Sequence, residues 1–133
     1  MKRIKIEEKN SLPFVKYTTV SGEHYALLDT GCDNTIILYR GEDVKDIIYN
    51  NISISGFGGE SKTAGMQAHI YFELDEIQNG SMTMDCDAVL ASEAFFLPFK
   101  QNDMPEVEMI LGMNFLTKYQ AKIDLKNKIL MLK

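Results

Sequence analysis

The chain has 133 residues, 45% of them hydrophobic and 25% charged, with a net charge of −5. That length and balance describe a single globular domain over residues 1–133 with a real core, and they exclude a disordered chain. Without a basic excess there is little to neutralise phosphates, so no nucleic acid partner is expected. No apolar run nears the roughly 20 residues of a membrane helix, so no membrane partner is expected either.

Ile4 and Ile6 alternate with Arg3 and Lys5 as a short first strand, and no apolar stretch follows to make a secretory leader. Phe14 to Val20 and Glu23 to Leu28 flank Ser21-Gly22 and predict a hairpin turning there. The second arm runs straight into Asp29-Thr30-Gly31. Glu42 to Tyr49 predicts two turns of helix with its acids at the start, where the helix dipole favours them. Ile52 to Ser61 holds three glycines around Phe57, the pattern of a flexible hairpin tip, either an ordinary glycine-rich turn or one whose aromatic residue covers a ligand. Ile70, Phe72 and Leu74, then Met82, Met84, Cys86 and Ala88, alternate with polar residues on either side of Asn79-Gly80, a strong hairpin signal. Ser92 to Glu108, with Pro98 and Pro105, predicts a long irregular excursion. Asn114 to Tyr119 predicts a short helix, and a last hairpin turns at Lys126-Asn127. The fold class is therefore mostly β.

Two cysteines, Cys32 and Cys86, cannot make a disulfide scaffold. Together with the missing leader they point to a reducing, cytoplasmic location. His24 and His69 lack a second ligand at metal spacing, so no metal and no cofactor is expected. The eight methionines are expected to fill irregular gaps in the core.

Three segments carry chemistry. A carboxylate at the end of a buried strand, as at Asp29, has to be hydrogen-bonded. Thr30 is expected to lock the loop through its hydroxyl, and Gly31 to allow close approach or strained angles. The second segment is Ser55-Gly56-Phe57-Gly58-Gly59, and the third is Ile110-Leu111-Gly112-Met113-Asn114-Phe115, where Gly112 permits contact with another loop.

In this order and at these separations the three segments resemble the retroviral-type aspartic proteases, the retropepsins, in a single-lobe bacterial or viral-like form. Leu27 to Thr35 looks like the active-site segment, Gly56 to Gly59 like the flap, and Ile110 to Thr117 like the paired-hydrophobic-Gly segment and its helix. The Asp29–Gly112 separation is longer than in compact viral members, with the surplus assigned to Leu38–Asn50 and Ser92–Glu108. Cys32 stands where the family has a small Ala or Ser, and Phe57 is the flap's one aromatic residue.

The resemblance implies a closed β-barrel lobe with one or two short helices and a glycine-rich flap hairpin. It implies an aspartic endopeptidase with Asp29 catalytic and Thr30 and Gly31 in its loop. Cys32, Asp33, Ser55, Gly56, Phe57, Gly58 and Gly59 would meet a peptide or protein substrate. One aspartate is half of such a centre. Asp124, lacking Thr-Gly behind it, is a poor second, so a homodimer placing two Asp29 side chains at a twofold is expected. By the same resemblance Asp33 would contact substrate backbone or brace the dimer, and Ile4–Glu7 or Ile129–Leu132 would interleave with a partner's termini. The alternative is a non-catalytic peptide-binding or dimerisation module that retains the fold; a structural β-domain without peptide affinity is the third possibility.

Overall fold

The computed structural model describes residues 1–39, 44–54 and 61–133, with backbone pairing alone for 44–54 and 61–65. Strands β1 (Lys2–Lys5), β2 (Glu7–Lys9), β3 (Leu12–Thr19), β4 (Gly22–Leu28), β5 (Thr35–Leu38) and β6 (Val44–Ile54) lead to the long β7 (Ser61–Glu76) and β8 (Gly80–Ala91). A 3-10 turn (Glu93–Phe96) and helix α1 (Leu97–Gln101) precede β9 (Val107–Leu111). Helix α2 (Met113–Lys118) and strands β10 (Lys122–Asp124) and β11 (Ile129–Leu132) complete the chain.

All these strands join one sheet in the order β10-β11-β1-β7-β8-β5-β9-β4-β3-β2, with β6 paired to β7. A further β7–β3 pairing, Tyr17 opposite Leu74, closes β3, β4, β9, β5, β8 and β7 into a six-stranded barrel. The expected mostly-β closed lobe with two short helices is the fold observed.

Period-two alternation sends side chains to opposite faces of these strands, and both faces are covered. On one face Ala26, Leu28, Cys86, Ala88, Met109 and Leu111 pack with Phe72, Phe115 and Leu130. On the other, Phe14, Leu27, Ile36, Val89 and Ile110 pack under Phe96, Phe99 and Met104. Strand β9 is buried at every position for this reason. Met84, Met104 and Met109 fill core gaps as expected, whereas Met1 and Met113 are exposed.

Several expectations need correction. Residues 44–49, read as helix, belong to β6, which pairs antiparallel with β7 from Val44↔Ile70 to Ile54↔Ser61. Cross-strand pairing over that length outweighs a two-turn helical pattern, because short isolated helices are marginal. The 92–108 excursion is not irregular throughout. Pro98 stands in the first turn of α1, where its missing N–H is harmless, and Phe96 and Phe99 close the second core face. The first hairpin turns at Val20-Ser21, one residue early, with Thr19 opposite Gly22 and Gly22 at φ +117°.

The terminal strands pair within the chain. Lys2–Lys5 runs antiparallel to Ile129–Leu132, β11 lies between β10 and β1, and β1 lies between β11 and β7. Both segments expected to interleave with a partner thus already have neighbours on either side.

Candidate active site around Asp29

Asp29 follows the last residue of β4. Its N–H donates to the Leu111 carbonyl at 3.1 Å, which continues the parallel β4–β9 ladder by one bond. The chain then reverses, and Cys32 N–H donates to the Asp29 carbonyl at 3.3 Å. Inside this turn Asp29 Oδ1 accepts the Gly31 N–H at 2.9 Å. A Cβ on Gly31 would stand 3.2 Å from that same oxygen, so close approach, not a positive φ, is what glycine provides here. Thr30 and Gly31 are exposed at the tip. The Thr30 hydroxyl makes no hydrogen bond among the described residues, so the expected lock is not formed within one protomer.

The loop is stapled from the far side. Strand β9 lies between β4, to which it is parallel, and β5, to which it is antiparallel, so residues 29–34 cross over its end. Gly112 sits in that crossing. A Cβ there would overlap the Asn34 carbonyl group and lie 2.7 Å from the Cys32 carbonyl oxygen. Helix α2 begins at this point without a side-chain cap, and its first free N–H groups are satisfied by the loop itself. Met113 N–H donates to the Cys32 carbonyl at 2.7 Å and Asn114 N–H to the Asp33 carbonyl at 3.0 Å.

Side chains complete the junction. Asn114 Oδ1 accepts from both the N–H and the hydroxyl of Thr35 at 2.8 Å, and Thr35 Oγ1 accepts the Gly112 N–H at 3.2 Å. Asn114 Nδ2 donates to the Asp87 carbonyl at 2.6 Å. Thr35 is fully buried, so loss of either partner would leave a polar group orphaned. The Thr35–Asn114 pairing, which braces the Asp29 loop, is not foreseen from the sequence. Two polar residues far apart in the chain carry no local signal of each other.

The remaining predicted site residues are placed as follows. Cys32 is 1% exposed within the second core face, and its thiol donates to the Asn34 carbonyl at 3.1 Å. Its side chain therefore belongs to the core and does not line a cleft. Burial pushes the thiol up, and the negative charge of Asp29 and Asp33 adds to that; a thiol held protonated is a poor nucleophile and metal ligand. Cys86 is pushed up to about 12 by burial as well. Asp33 is exposed. Ser55, Gly56, Phe57, Gly58 and Gly59 lie outside the described residues; the strands on either side of them pair, with Ile54 opposite Ser61. Asp124 is engaged in its own hairpin, accepting the N–H and Nδ2 of Asn127 at 3.0 and 2.8 Å.

Neither histidine is idle. His24 lies between Glu108 at 3.1 Å and Ser21 at 3.2 Å, against the ring of Tyr17. His69 on β7 is bracketed by two β8 carboxylates, Asp87 at 2.9 Å from Nδ1 and Asp85 at 2.7 Å from Nε2. Asp85 is held also by Lys118 Nζ at the end of α2 and by the hydroxyl of Tyr119, the residue that follows it, each at 2.8 Å. Lys118 first, then Tyr119 and His69, lower the Asp85 carboxyl to about 2, while Asp87 and then Asp85 raise the His69 imidazolium above its ordinary value.

No family model matches the sequence. Over 103 residues, 77% of its length, the chain is 31% identical to a retrovirus-related Pol polyprotein from transposon 412 of Drosophila melanogaster. It spans 7% of that protein. The chain is thus similar to a short segment of a retroviral-type polyprotein.

Proposed function

We propose that the chain is one half of a homodimeric aspartic endopeptidase, with the two Asp29 carboxylates meeting across a twofold axis. The observation that carries this reading is the Asp29 turn. It is a half-buried carboxylate next to the exposed Thr30-Gly31 tip, oriented by the Gly31 N–H and braced through Gly112 and Asn114 by a second segment. The likeness to part of a retrovirus-related Pol polyprotein and the resemblance of the motifs to the retropepsins support it independently.

Two carboxylates about 3 Å apart cannot both ionise, so they share one proton. The ionised Asp29 takes a proton from a water whose oxygen bonds to the scissile carbonyl carbon. The protonated Asp29 donates to the carbonyl oxygen. Collapse of the tetrahedral species breaks the C–N bond as one Asp29 gives its proton to the leaving amine and the other takes a diol hydroxyl proton, which restores the singly protonated dyad. Residues 55–59 would cover an extended peptide, bound by main-chain pairing in the manner of an added strand.

The test is cleavage of a peptide library at about pH 4–6. Cleavage abolished by Asp29→Asn and by a pepsin-type transition-state inhibitor is the expected result. Binding without cleavage by the wild-type chain would replace this reading with that of a peptide-binding module.

A further inference from the structure

Resting on the dimeric reading, we infer that the second copy docks on the uncharged groove beside the Asp29 loop, formed with α2 and the start of β10, and not through the terminal strands. A twofold that brings two Asp29 side chains together must pass next to the exposed Thr30-Gly31 tip. The surface flanking that tip is therefore the surface that meets the partner. It holds a groove of about 300 Å³ lined by Thr30, by Met113, Leu116 and Thr117 of α2, and by Ala121 and Ile123. Met113 is 36% exposed in the first turn of α2, an apolar side chain left facing solvent next to the site.

Charge and pairing favour the same face. An isologous contact sets each residue near its own copy's surroundings, so a patch of one sign repels itself. The chain carries −5 overall, yet the groove, including Gln120 at its rim, has no charged side chain. On β1, by contrast, Lys2, Arg3 and Lys5 are all exposed. Both β1 and β11 are already flanked, whereas β10, whose Ile123 lines the groove, pairs only with β11 among the described residues.

The experiment measures solution mass across a concentration series, with thermal melts and cleavage activity, for the wild-type chain, Thr117→Arg, Met113→Arg and Lys5→Glu. Thr117 is exposed, so a bulky cation there obstructs the groove without entering the core. The expected result is a dimer whose dissociation constant rises at least tenfold in Thr117→Arg at an unchanged melting temperature, while Lys5→Glu stays within about twofold of wild type. If Thr117→Arg fails to fold, Met113→Arg decides in its place. Folded groove variants that dimerise like wild type, dissociation by Lys5→Glu, or a wild-type chain monomeric at every concentration would overturn the docking face. An active dimer indifferent to the groove variants overturns the docking face and leaves the protease reading standing. An inactive dimer broken by them does the reverse.

Discussion

Asp29 and Asp85 are both carboxylates at the ends of hydrogen-bond networks, and the molecule treats them in opposite ways. Asp85 is surrounded by Lys118, Tyr119 and His69, which hold it as an anion down to about pH 2. Asp29 receives the Gly31 N–H and, among the described residues, no cation. A carboxylate that ties β7, β8 and α2 together gains from permanent charge. One that must exchange a proton with water and substrate is better served by a fixed orientation and no neutralising partner. The difference separates a structural acid from a candidate catalytic one inside a single fold.

The largest expected effect falls on the catalytic side. Asp29→Asn keeps an oxygen to accept the Gly31 N–H, so stability should change little, while peptide cleavage falls by about 10²-fold or more, as loss of an acid–base group does. A melt shifted as far as the activity would show that Asp29 is structural, like Asp85. Gly112→Ala comes next. Its Cβ meets backbone, which cannot rotate away, so unfolding measurements should show a loss at or above the usual 1–3 kcal/mol of overpacking, with displacement of the Asp29 loop.

Asp85→Asn sharpens the contrast on the structural side. Its side chain is 34% exposed, so solvent screening reduces the loss to about 1 kcal/mol at pH 7, read from denaturant midpoints, with cleavage retained. Asp85 is depressed in the folded state, so its contribution is present above its ordinary value near 3.8 and disappears as pH falls toward about 2. The smallest effect belongs to His69. Its pKa is raised on folding, so its contribution is complete below its ordinary value near 6.5 and is lost as pH rises through the higher folded value. His69→Gln should flatten that alkaline decline in a series of melts between pH 6 and 9; an unchanged decline would show that the His69 contacts with Asp85 and Asp87 add no stability.

Much of this architecture is legible in the residues. Alternation at Ile70, Phe72 and Leu74 marks the buried face of β7, and Asp29-Thr30-Gly31 with Gly112 marks the crossing loops. What eludes a linear reading depends on register. Val44, Ile47 and Ile48 have helical spacing, and only pairing with β7 makes them strand. The His69 contacts depend on register too: the observed pairing of Glu76 with Gly80 sets His69 opposite Asp87, with Asp85 on the same face, whereas the expected two-residue turn at Asn79-Gly80 would set it opposite Leu90. Phe96 and Phe99 carry no alternation because they cap a sheet face from a 3-10 turn and the short helix that follows it. Thr35 and Asn114 meet only because β9 passes between β4 and β5.

The central claim is that one aspartate per chain is completed by a second copy. Specific cleavage activity, followed alongside solution mass on serial dilution, tests it most directly. Activity per chain that declines in step with dissociation of the dimer is the predicted result. Constant activity per chain from a species that remains monomeric throughout would contradict it.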